Sequence, residues 1–160
     1  MLLVREARGH ALLGDGRACR RALTRAEEAF DRSRPESDPA WISFFGEAEM
    51  SAQFAYCFRD LQSPTEAQRF VDASLAGFGD GYQRSRAFCQ ALLATVHLQQ
   101  RDVEQACAAG GKAITLLSQL RSARGRVYIE DLRRRLEPYQ KEPVVQEFNV
   151  LAAQLVGAAA

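Results

Sequence analysis

Three residues, Asp15, Ser63 and Asp102, sit in the same spaced set of side chains, and this recurrence constrains the fold more than any other feature of the chain. Eight residues before each stand Ala7, Ala55 and Ala94; five before stand the rings of His10, Phe58 and His97. Four after come Cys19, Ala67 and Ala106, and eleven after come Ala26, Ser74 and Ala113. Asp and Ser side chains accept bonds from the free N–H groups of a helix's first turn, so each of the three marks a helix start. A small residue on each side of the start lets two antiparallel backbones approach closely, and a ring one turn away fills the wedge between them. The unit is a helical hairpin, and it occurs three times.

The rest of the chain agrees with that reading. Apolar residues return at three and four positions nearly throughout, and no stretch shows sustained strand alternation bounded by hairpin dipeptides, so the fold class is all-α. Ser63-Pro64-Thr65-Glu66 combines an N-cap, a proline at the first helical position and an acid at the third. Asp102 has Gln105 three residues on, Asp38 is followed by Pro39, and Asp15 follows Gly14; each is expected to open a helix. The hairpins fall at about 1–33, 39–76 and 84–120, with an irregular closing pair at about 122–155, and the whole chain, 1–160, is expected to be one domain of about seven to eight helices. "RPESD" and "GFGDG" are the expected linkers.

One helix is unusual. "RDVEQACAAGGKAITLL" has helical spacing but carries Ala, Cys and two adjacent glycines where bulk is normal. Ala106 and Ala113 are contact positions at which added volume would cost roughly 1–3 kcal/mol each. Gly110 and Gly111 each cost about 1 kcal/mol against Ala inside a helix, so either a neighbour comes unusually near or the helix bends there.

Composition excludes several classes of function. Lys and Arg total 21 against 20 for Asp and Glu, so there is no excess of positive charge on which phosphate binding would rest, and direct binding of nucleic acid by this segment is not expected. Cys19, Cys57, Cys89 and Cys107 form no C-x-x-C pair and have no His at ligand spacing. They read as reduced core thiols, with no metal and no cofactor implied. The opening "MLLVREARGHALLG" is interrupted by Arg5, Glu6, Arg8 and His10, which is incompatible with a secretory core or a membrane span, so a cytoplasmic protein without membrane contact is expected. Its amphipathic pattern begins at residue 1 with no cap before it, as in a chain that continues a longer one.

The spaced set resembles the tetratricopeptide repeat (TPR), whose 34-residue unit has a small residue at its eighth position, a ring at its eleventh and small residues at its twentieth and twenty-seventh. Three units match there, although the usual tryptophan and the proline after the second helix are missing and the connections are stretched. "DPAWISFFGEAEMSAQFAYCFRDL", "RSRAFCQALLATVHLQQRDVEQAC" and "LRSARGRVYIEDLRRRLEPY" are further similar to the C-terminal half of actinobacterial XRE-type helix-turn-helix transcriptional regulators, over nearly the whole chain from Asp38 onward. The resemblance implies a right-handed TPR-like superhelix of antiparallel hairpins. Its implied work is protein–protein interaction, homodimerisation or effector sensing in transcription regulation. No helix-turn-helix is visible, so DNA binding does not carry over.

In repeats of this kind the first helix of each hairpin lines a concave groove. The family's groove positions fall here on Arg8 in the first unit, Glu49, Tyr56 and Arg59 in the second, and Phe88, Thr95 and Gln99 in the third. An aromatic, an arginine and an amide on one wall can grip a peptide through stacking and charge-assisted bonds; the same wall with Tyr56, Phe88 and Tyr128 could instead close on a metabolite. The arginine-rich stretch resolves on a helix into an apolar face, Ile129, Leu132 and Leu136, and a polar stripe of Arg124, Tyr128, Asp131 and Arg135, with Asp131 and Arg135 paired four apart. That stripe is expected to be solvated or turned to the groove. Trp41, Phe44 and Phe45 are too many rings for one neighbour to cover; packing between the first two units is the first reading and an association surface the second. His10 and His97 occupy the slot of Phe58 and are expected to pack, and Cys89 with His97 lacks an orienting carboxylate, so no enzyme is expected.

Overall fold

The computed structural model of the chain describes residues 1–32, 45–120 and 122–157. Among them are eight α-helices and one short 3-10 turn, and no strand. The expected helix start at Asp38 lies outside the described residues. Two compact units are formed, Met1–Gly77 and Phe78–Ala160. No helix among the described residues is long and apolar enough to cross a membrane.

The first unit comprises α1 (Leu2–Leu12), α2 (Gly16–Asp31), α3 (Glu47–Asp60) and α4 (Pro64–Gly77). Helix α1 packs on α2 and on α3, and α3 packs on α4. Val4, Ala7 and Ala11 of α1 meet Cys19, Ala22, Leu23 and Ala26 of α2 and Phe54 and Cys57 of α3 in one core. Phe70 of α4 stacks on Phe58 at 5.4 Å and meets Phe54 edge-on at 5.2 Å, which ties the second pair of helices to that core. Ser74, a buried hydroxyl, donates to the Ala48 carbonyl at 2.7 Å, so its burial carries little penalty.

The second unit comprises α5 (Gln83–Gln99), α6 (Val103–Ser118), α7 (Ala123–Leu136), a 3-10 turn at Glu137–Tyr139 and α8 (Pro143–Gly157). Helix α6 is its centre, packed by α5, α7 and α8. Crowding on three sides explains its small side chains. A Cβ added at Gly110 would lie 2.7 Å from both Leu132 Cδ2 and Phe148 Cε2, whereas one at Gly111 would meet nothing within 4 Å. Of the two explanations the sequence left open, close approach holds at Gly110. Gly125 of α7 is likewise pressed against the Leu117 side chain, while the Ser122 hydroxyl caps the helix by accepting from the Gly125 N–H at 3.1 Å.

All nine small residues of the recurring set are buried, eight of them with no exposed surface. The turns explain the fixed spacing between ring and cap. After α1, α3 and α5 the backbone enters the left-handed region at Gly14 (φ 75°), Gln62 (φ 57°) and Arg101 (φ 63°). The next residue in each case donates its N–H five residues back, Asp15 to His10, Ser63 to Phe58 and Asp102 to His97, all at 2.9 Å. The left-handed residue itself donates three residues back, to Ala11, Arg59 and Leu98, all at 3.0 Å. This pair of bonds closes a helix C-terminus around one left-handed residue. Asp15 and Asp102 then cap the following helix, accepting from Ala18 at 2.9 Å and Gln105 at 3.0 Å.

Only the first turn has the residue its backbone favours. Gly14→Ala is expected to lower stability by about 1–2 kcal/mol, and Arg101→Gly to raise it by about 0.5 kcal/mol, the left-handed strain removed exceeding the entropy glycine adds to the unfolded chain. Urea midpoints of the two variants check both signs.

Candidate binding site

In the first unit α3 places Tyr56, Arg59 and Asp60 within about one turn of each other, and its packing on α1 brings Arg8 to the same place. The Arg8 guanidinium carbon lies 4.3 Å from the Tyr56 ring centroid and that of Arg59 lies 5.3 Å away. Both cations also reach one carboxylate. Arg8 Nε donates to Asp60 Oδ2 at 3.1 Å, and Arg59 Nε donates to Asp60 Oδ1 at 2.9 Å. The ring is almost wholly covered, so Tyr56 acts as a platform that orients two guanidiniums, and does not offer a free face for stacking. Glu49 stands about two turns upstream on α3, half-buried, and accepts from Gln53 Nε2 at 2.8 Å. The other amide atom, Gln53 Oε1, is buried without a hydrogen-bond partner among the described residues.

In the second unit α5 and α7 pair in the same way. Phe88 meets Tyr128 edge-on at 5.3 Å, and the Arg124 guanidinium lies 5.2 Å and 5.3 Å from the two ring centroids. Arg124 Nε donates to the Tyr128 hydroxyl oxygen at 2.8 Å. About two turns further along α7, Asp131 accepts from Arg135 Nε at 2.7 Å and from Arg134 Nη1 at 3.3 Å. Thr95 is buried, and its hydroxyl donates to the Leu92 carbonyl at 2.7 Å, so it presents no group to a ligand. Gln99 is half-buried about three turns beyond Phe88 on α5.

The structure therefore gathers Arg8, Tyr56 and Arg59 into one cluster and Phe88, Arg124 and Tyr128 into another. Trp41 and Phe44 lie outside the described residues. Phe45 turns toward the first core, its ring 6.4 Å from that of Phe30. Sequence reasoning passed over Asp60 and Gln53. The only local sign of Asp60 is an acid at the C-terminal end of a helix, where the dipole disfavours it.

Four buried cysteines form no disulfide. Burial pushes the thiols of Cys19, Cys57 and Cys107 up, to about 12 at Cys57 and about 11 at Cys107, which keeps them protonated and unreactive. His97 Nδ1 lies 3.3 Å from Gln100 Oε1 and His10 Nε2 4.0 Å from Glu6. Among the described residues no group of three or more His, Cys, Asp or Glu could hold a metal ion. The second unit has two open clefts, a polar one of about 380 Å³ lined by Glu130, Arg133, Arg134, Glu137, Gln140 and Asn149, and a mixed one of about 370 Å³ around Asp80–Ser85 and Leu120; neither contains Phe88 or Tyr128.

Comparison of the chain with protein-family models, with curated proteins and with solved structures finds no match in any of the three.

Proposed function

We propose that this chain is a TPR-like protein-interaction domain, the dimerisation or effector half of a cytoplasmic bacterial transcriptional regulator of the actinobacterial kind, and that it binds a protein or peptide partner through the first helices of its hairpins. The observation that carries this reading is the pairing of first helices around guanidinium–aromatic clusters, Arg8–Tyr56–Arg59 on α1 and α3 and Phe88–Arg124–Tyr128 on α5 and α7. Stacked arginines of this sort lose little side-chain freedom on meeting a carboxylate and are common anchors of interfaces. The alternative is a metabolite sensor using the same residues. It draws on the compactness of the second cluster, where the Phe88 ring meets the Tyr128 phenol and the phenol is hydrogen-bonded to the Arg124 guanidinium.

Native mass spectrometry of the protein purified from its host separates the two. An even-numbered oligomer or a co-purifying polypeptide whose retention falls gradually in Arg59→Ala and in Tyr128→Ala is the expected result. A retained small molecule, lost almost completely in one of those variants, would favour the sensor. A bare monomer unaffected by either variant would sink both readings.

A further inference from the structure

Helix α1 has two unlike sides. Val4, Ala7 and Ala11 face the first core, and the side opposite carries Leu2, Arg5, Glu6, Gly9, Leu12 and Leu13 in a stripe about 120° wide centred on Gly9. Leu2, Leu12 and Leu13 are 87%, 68% and 83% exposed, and a Cβ added at Gly9 would meet nothing within 4 Å. Single surface leucines need no explanation, but three on one stripe around a glycine do. Gly9 has no positive φ to accommodate, and it weakens the helix relative to alanine, so what it provides is room for a neighbour.

The recurring set shows what such a stripe does. Counted from Ala7 and Ala55, its counterparts on α3 are Met50, Gln53, Phe54, Cys57, Asp60 and Leu61. On α3 this is the side where α1 and α2 pack: Phe54 and Cys57 belong to the core they share, Met50 and Leu61 pack against it, and Asp60 accepts from Arg8. The stripe that receives a hairpin on α3 is left to solvent on α1.

Its residues are arranged to receive a copy of themselves. In an antiparallel pair of α1 helices crossing between residues 7 and 8, Leu2 of one copy falls opposite Leu12 and Leu13 of the other, and the long side chains of Arg5 and Glu6 fall opposite Gly9. Apolar groups therefore meet at both ends of the seam, and the bulky residues cross at the notch. Arg5 of one copy and Glu6 of the other lie about one turn apart along the seam, so opposite charges come within reach at two symmetry-related places.

We propose that this stripe of α1 is a two-fold contact, on which a second copy of the chain docks its own α1 antiparallel. This rests on the dimerisation reading above and gives it a surface. A helix of 11 residues buries less than the roughly 800 Å² per partner of a standard interface, so the pair is weak and forms as concentration rises.

Sedimentation equilibrium of the full chain over about 1–500 µM is the test, with a monomer–dimer dissociation constant on the order of tens of micromolar expected. Leu12→Gln with Leu13→Gln should weaken association at least about tenfold while the chain stays folded by circular dichroism, because both side chains are exposed in the monomer. Val127→Gln, which removes an exposed apolar side chain from α7, should change it by less than about twofold. Arg5→Glu and Glu6→Arg should each weaken self-association, and the two variants mixed should form a heterodimer at least about threefold tighter than either forms with itself, since one chain then carries two acids and the other two bases. A monomer throughout the range overturns the proposal, and so does a dimer that the leucine variant leaves as tight as Val127→Gln does. The second of these outcomes leaves dimerisation standing through another surface. A monomer that still retains a polypeptide from its host leaves the protein-binding reading standing with a different occupant, and one that retains nothing removes both. If the leucine variant does not fold, the charge variants decide: no preference for the mixed pair refutes the contact.

Discussion

Gly110→Ala is expected to destabilise the protein by about 2 kcal/mol, although Ala is the better helix former by about 1 kcal/mol. The new methyl would sit 2.7 Å from Leu132 Cδ2 and from Phe148 Cε2. Neither neighbour has room to yield, because Leu132 is 0% and Phe148 2% exposed. Gly111→Ala, one residue on, should instead stabilise by about 0.5–1 kcal/mol, since its Cβ meets nothing and the helix gains propensity. Opposite signs at adjacent positions are hard to obtain from any other packing of α6. Denaturant titration of the pair reads both, and equal shifts would mean that α7 and α8 do not close on α6 at this point.

Asp60→Ala is the second large effect. Removing the carboxylate takes away the acceptor that the Arg8 and Arg59 guanidiniums share, and breaking such a pair in a fully buried setting costs about 3–5 kcal/mol. The exposure of Arg8 and Arg59, 24% and 18%, lets water recover part of that, so a loss of about 2–3 kcal/mol is expected. Adding Arg8→Gln should cost less than the sum of the two single changes, because the pair it breaks is already broken by the first, with a coupling of about 1 kcal/mol or more in a double-mutant cycle. Additive losses would show that Arg8 and Asp60 do not form an energetic pair.

The hairpin turns show how a sequence pattern becomes geometry. Ring and cap stand five residues apart because the cap residue's N–H returns to the ring residue's carbonyl, and the left-handed residue between them is what makes that return possible. The binding faces show the reverse. The family resemblance puts Thr95 at a groove position, yet Ala94, Thr95 and Val96 are all buried. A helix covered by α6 on one side and α7 on another has no free face at that depth, and a spacing rule cannot report how many neighbours a helix has.

What the sequence by itself determined is therefore local: the all-helical class, the starts of α2, α4 and α6, and the small residues at which helices touch. Those follow from hydrogen bonds and steric limits that act within about a dozen residues, so they are written in consecutive spacing. Tertiary structure alone decided that Gly110 is crowded and Gly111 is not, that Thr95 turns inward, and that Asp60 joins Arg8 and Arg59 over one tyrosine. Each of these depends on a partner brought from another helix, and the energy of such a contact resides in distance and burial, which residue order does not encode.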